Sequence, residues 1–234
     1  MKKLRYTILC LFTIAILPTI SFAWHNNTHL AIAKAAGYEQ WFNAAGADIA
    51  KLKAGNIERF NHHFKNNNNI EITPELVFAQ VKKYNDPKDP EGHLYGAIIA
   101  AVREYKSSVL KDKYTEYHIA YAAHYIGDLS NPLHNVSNDS FNRSHHNVND
   151  GIVENDVLEN LNKVKEKMYP ITLSSDHFEA DLAKEIARIA SISRQLGLQM
   201  KKENRDMTKE EAYTQLGHSS SLLHAVLKYL GKAQ

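Results

Sequence analysis

Apolar residues along this chain recur at helical spacing, and no convincing alternating strand pattern interrupts them. The stretch "THLAIAKAAG" offers Thr28 as an N-cap and Gly37 as a stop. "PELVFAQVKKY" opens with Pro74 at a first-turn position and keeps helical periodicity. Further helices are expected over residues 94–110 and 116–129, the latter ended by Pro132. Residues 152–168 carry Ile152, Val153, Val157, Leu158, Leu161 and Val164 as one stripe opposite Glu and Lys, again a helix. Two long patterns, 178–202 and 209–230, close the chain. Residues 66–69, 85–92 and 135–147 read as polar loops. There is no internal repeat and no linker long enough to divide the chain, so the expectation is an all-α, single multi-helix domain over residues 24–234.

The first 23 residues stand apart. Lys2, Lys3 and Arg5 precede an apolar run over residues 8–17, Pro18 breaks it, and Ser21 and Ala23 sit at −3 and −1 of a cleavage site. This is a secretory signal pattern, too short for a membrane span, which needs about 20 apolar residues. The expected product is exported, periplasmic or secreted, begins at Trp24 and has no transmembrane segment. Charge is then reinterpreted. The signal removes three of 28 basic residues and none of 26 acidic ones, leaving net −1. No excess of positive charge advertises a nucleic-acid partner. The lone cysteine, Cys10, also falls in the signal, so neither a disulfide nor a thiolate metal site is expected in the processed chain.

The candidate chemistry lies in "HYIGDLSNPLH", residues 124–134. His124 and Asp128 at i and i+4 share a helix face, roughly 6 Å apart along the axis. Pro132 forces a turn, which frees His134 to serve a neighbouring position. A second His-x3-Asp pair, His146 and Asp150, follows at the start of the next predicted helix. One such pair arises about once by chance in a chain with 13 histidines. His177 and Asp181 share the spacing but belong to a polar face and are read as solvated. Imidazole and carboxylate ligands without thiolates suit Zn²⁺ with open positions. Trp24 would contribute a free α-amino group and carbonyl, with His29 five residues on.

Taken together, Trp-x4-His at the processed start, His-x3-Asp-x5-His and the later His-x3-Asp resemble the zinc-dependent phospholipase C and single-strand-specific nuclease superfamily. "HY-x-GD-x3-P-x-H" is similar to the bacterial phospholipase C signature, which usually continues differently from Asn135 and Ser137. The resemblance implies an α-helical fold of that type and three zinc ions. Trp24 and His29 would hold one, with Asp128 bridging to a second held by Asp48, His62, His124 and Asp128. His134, His146 and Asp150 would hold the third. The family spacing of 14 positions runs from Asp48 to His62, whereas from His63 it reaches Ile49; His63 and Glu58 remain the alternatives. His25 and His145 fall outside the spacing.

Three zinc ions imply a phosphodiester substrate, cleaved by zinc-activated water that Asp48 would both ligate and orient. Phospholipid head-group hydrolysis, with peripheral membrane contact, is the leading expectation. A nuclease for single-stranded nucleic acid shares the same site and needs aromatic platforms, which the 12 tyrosines can supply. A non-catalytic zinc-binding protein is the third expectation.

Overall fold

The computed structural model describes residues 24–233; the expected signal, with Cys10, lies outside them. The described residues form ten α-helices and no strand, an all-α arrangement. These are α1 (Asn26–Ala35), α2 (Gly46–Ala54), α3 (Asn56–Arg59), α4 (Pro74–Val81), α5 (Leu94–Ser107), α6 (Lys113–Leu129), α7 (Ser140–Asp150), α8 (Leu161–Glu166), α9 (Phe178–Glu203) and α10 (Lys209–Tyr229). Two single 3₁₀ turns, Trp41–Asn43 and Pro132–His134, join them. Among the described residues, no helix is long and apolar enough to cross a membrane.

Helix ends follow local chemistry. Pro74 opens α4 behind Thr73, whose hydroxyl accepts from Leu76 N. Asp112 caps α6, and Thr208 with Glu211 forms a capping box on α10. Gly37 stops the first helix at φ 79°, as its sequence position suggests. Thr28 is not the N-cap of that helix. It lies inside the first turn, and the Glu154 carboxylate accepts from a distance from the amides of Asn27 and Thr28, at 2.9 and 3.0 Å, the latter also donating to His25 O.

Two expected elements differ. The helix predicted over 152–168 survives only as α8. Residues 151–159 are successive turns, closed where Asn160 donates its side-chain amide to Asp156 O and its backbone N–H to Asp156 O and Val157 O. Its apolar stripe is still buried at Val153, Val157 and Val164. Conversely, the expected loop over 135–147 contains most of α7. Asp139 caps it by accepting from Asn142 N, and its inward face carries the buried polar residues Asn142, Asn149 and Asp150, each held by at least one hydrogen bond, which hides the helix from a hydrophobicity pattern.

α5 and α6 pack side by side. α4 and α9 cover α5, while α10 lies across α6, α1 and α8. The shared core includes Leu94, Ile98, Ile119, Ile126, Leu182, Ile186, Leu222 and Val226. Each such side chain contributes about 1.5–3 kcal/mol on burial. The start of α5 is pinned to the loop ahead of it: His93 N donates to Phe60 O and Leu94 N to His63 O. Thus the core helices fix the 60–63 segment as well as themselves.

Because Glu154 alone supplies carboxylate acceptors to the amides of Asn27 and Thr28, Glu154→Ala should destabilise the protein by about 1–2 kcal/mol, and Glu154→Gln by less. Urea unfolding of the three proteins measures this; an unchanged midpoint for Glu154→Ala contradicts the cap.

Candidate metal centre

α6 supplies the centre's axis. His124 and Asp128 point inward from successive turns, both completely buried. Asn131 then accepts from Leu133 N with its side chain and Pro132 starts the 3₁₀ turn that delivers His134. Asn135 closes the end of α6 by donating to Leu129 O and Asn131 O, at 2.9 and 2.8 Å. This departure from the phospholipase signature therefore has a structural task in this chain.

Potential ligand atoms converge in three groups, each within 4.8 Å: His29, Asp48 and His124; His62, His124 and Asp128; and His134, His146 and Asp150. Asp128 sits between the first two. Its Oδ1 is 3.3 Å from His29 Nε2, and its Oδ2 is 2.9 Å from His62 Nδ1 and 3.4 Å from His124 Nε2. Asp48 Oδ1 lies 3.9 Å from His62 Nδ1 and 3.8 Å from His124 Nε2. The rings of His29 and His124 stack with centroids 3.6 Å apart.

Of the residues read from sequence, His29, Asp48, His62, His124, Asp128, His134, His146 and Asp150 enter these groups. His62 enters a group and His63 does not; the His63 ring instead meets Phe60 edge-on, and burial pushes its pKa well down. Asp48, not Glu58, joins the ligand groups. Glu58 is buried nonetheless: its Oε1 accepts from Tyr125 Oη at 2.5 Å and lies 3.3 Å from His62 Nε2. Trp24 is completely buried, and the adjoining His25 N donates to Asp150 O, so the chain enters beside the end of α7. His146 and Asp150 close α7 rather than open a helix. His145 turns to Asp206, at 2.7 Å, and His177 is exposed while Asp181 accepts from Ser174 N.

Hydrogen bonding decides what these groups can hold. His124 Nδ1 donates to Ala44 O, His134 Nδ1 to His62 O and His146 Nδ1 to Asn142 Oδ1, at 2.8, 2.5 and 2.7 Å. Each donation leaves Nε2 as a lone pair aimed inward, the arrangement expected of metal-binding imidazoles. His134 Nε2 and His146 Nε2 then face each other at 3.2 Å, with Asp150 Oδ2 3.5 Å from the latter. Two opposed lone pairs repel unless a cation lies between them. A proton is disfavoured there: burial brings the pKa of His134 down to about 4 and that of His146 to about 3. Buried atoms without hydrogen-bond partners gather at the same place: both ring nitrogens of His29, Asp48 Oδ2, Asp128 Oδ1 and Asp150 Oδ2. A metal ion fits this donor set.

Residues that sequence reasoning passed over complete the surroundings. Lys51, one turn beyond Asp48, is buried with Nζ 2.6 Å from Asp48 Oδ1. Burial raises the Asp48 pKa, but His124 and Lys51 outweigh it and bring the value to about 2. Asn131 donates to Asp150 Oδ1 at 2.9 Å, and Asn142 orients His146. The Asp-x2-Lys spacing was a legible signal; the asparagines gave none. Burial raises Asp150 well above the carboxylate range.

Fold and centre together define an all-helical protein with a buried histidine–carboxylate centre that can hold metal ions. No family model matches the chain, and neither does a curated protein or a solved structure.

Two outcomes follow from this geometry. A Cβ at Gly127 would lie 2.5 Å from His29 Nδ1, so Gly127→Ala should cost about 1–3 kcal/mol and weaken metal uptake, read by unfolding and zinc titration. Normal stability with full uptake would contradict the close contact. Second, burial lowers His124, like His146, to about 3 and His134 to about 4. Below pH ~6.5 the unfolded chain protonates these imidazoles while the metal-free fold does not. Asp150, kept protonated by the fold, opposes with one proton. The unfolded state therefore binds more protons on balance, and the metal-free protein should lose stability from pH ~6.5 toward ~4. A urea midpoint that stays level or rises over that range contradicts this.

Proposed function

We propose that this chain is an exported, zinc-dependent phosphodiesterase of the phospholipase C and single-strand nuclease type, acting on phospholipid head groups. The opposed Nε2 atoms of His134 and His146, beside a carboxylate, carry the metal reading. Trp24 with His29, then Asp48, His62, His124 and Asp128, then His134, His146 and Asp150 would hold three ions. When bound, zinc supplies Lewis acidity toward phosphate oxygens and acidifies water.

The chain's own groups define the remaining chemistry. Asp48 Oδ2, which has no hydrogen-bond partner, would accept a hydrogen bond from the attacking water. Lys51 Nζ, against the other oxygen of the same carboxylate, favours its ionised form and adds positive charge where a phosphate would approach. Glu58 and Tyr125 brace the far side of His62. Burial lowers the local dielectric around these groups, which strengthens each electrostatic contact.

A specific feature supports the nuclease alternative. Trp41 and exposed Phe42 form an edge-on pair, centroids 6.1 Å apart, just ahead of α2, and such rings can stack a base. The processed protein should contain zinc and release phosphorylated head group from phosphatidylcholine but no nucleotides from single-stranded DNA or RNA. Asp128→Asn should lower both zinc content and turnover, the latter at least ~100-fold. Nucleotide release without lipid cleavage would transfer the assignment to the nuclease. Zinc without either activity would make this a zinc-binding protein, and absence of bound metal would end all three readings. An added Met before Trp24 should reduce zinc content if the α-amine is a ligand.

A further inference from the structure

We propose that the outward face of α2 and α3 docks on an anionic phospholipid membrane, directly over the metal centre; this deepens the phospholipase reading and rests on it. Twelve large apolar side chains are prominently exposed among the described residues, and four of them fall within residues 42–57. They are Phe42 at 62 %, Ile49 at 62 %, Leu52 at 56 % and Ile57 at 47 % exposure. Three are aliphatic, a composition suited to acyl chains rather than to base stacking.

The helix separates two functions by face. On α2, Ile49, Leu52 and Lys53 occupy i, i+3 and i+4 and are exposed, while Asp48 and Lys51 are buried toward the centre. The charges sort the same way. Between residues 42 and 59 the exposed charged residues are Lys53 and Arg59; Asp48, Lys51 and Glu58 are buried. The processed chain as a whole is nearly neutral, so this cationic and apolar combination is local. α2 packs against α6, where a Cβ on Gly46 would meet Tyr121 at 3.9 Å, and Tyr117, one turn earlier on α6, is exposed. Tyrosines are favoured at a membrane–water boundary.

An interfacial helix of this kind buries its apolar side chains at the acyl boundary and places Lys and Arg among head-group phosphates. A helix is about 10–12 Å across with its side chains. A lipid phosphate held at the rim by Lys53 would thus lie within one helix diameter of Asp48.

The test uses the processed, zinc-supplemented protein and sedimentation with vesicles of phosphatidylcholine alone or mixed with phosphatidylglycerol. Wild type should sediment with the mixed vesicles and less with phosphatidylcholine alone. The I49D/L52D variant, with an unchanged circular dichroism spectrum, should lose at least about ten-fold in partitioning. V109D/L110D, altering exposed apolar residues before α6, should bind as wild type. Vesicle binding that is absent in wild type, or equal in I49D/L52D, overturns the proposal. So does a single-stranded oligonucleotide bound by wild type and released by I49D/L52D, or a dimer in light scattering that only this variant loses. Hydrolysis of soluble bis(p-nitrophenyl) phosphate separates the two levels. Equal soluble turnover with reduced vesicle turnover in I49D/L52D supports the docking face. No soluble or lipid turnover by wild type defeats the phosphodiesterase reading, while sedimentation still decides the surface.

Discussion

The carboxylate of Asp128 is completely buried among the rings of His29, His62, His124 and His134, between 2.9 and 3.8 Å away. An ionised group in such a place costs several kcal/mol in lost hydration unless opposite charge or donors surround it. Burial pushes its pKa up, yet the neighbouring imidazoles hold it well below the usual carboxylate range. The fold can retain this group only if four separate segments arrive together. α1, the 60–63 loop, α6 and the turn after α6 are therefore bound to one another by electrostatics as well as by the hydrophobic core.

That requirement explains the unusual use of asparagine. Asn131 reaches Asp150, Asn135 satisfies carbonyls left at the end of α6, and Asn142 directs the ring of His146. Asn61 extends the same pattern outward, with its amide near Tyr125 and its carbonyl oxygen next to His93 Nε2 at 2.9 Å. An amide can donate and accept at once and carries no charge of its own. It can thus fix the orientation of an imidazole without competing for a cation.

Much of this was legible in the chain. The periodicity at α5, α6, α9 and α10 is strong because each presents a continuous apolar stripe to the core, and their boundaries fall close to the expected ones. The spacing of His124, Asp128 and His134 around Pro132 was readable because a helix followed by a forced turn has few geometric solutions. α7 was not, since its inward face carries Asn142, Asn149 and Asp150, whose burial is stabilised by hydrogen bonds rather than by apolarity. The turns at 151–159 defeated the pattern in the opposite way: their apolar spacing is helical, while their hydrogen bonds are local. Glu58 was readable only as the alternative carboxylate to Asp48, because nothing in sequence links it to Tyr125, 67 positions away. Lys51 was readable only as a neighbour of Asp48, and its burial depends on tertiary packing.

His62 belongs to two neighbourhoods at once. Its ring faces Asp128 and His124, and its backbone oxygen receives the proton of His134 Nδ1. A rotation of the peptide at this residue would therefore turn the His134 imidazole as it shifted the His62 one. One main-chain carbonyl thus ties the orientation of the His134 ring to the peptide that carries the His62 ring.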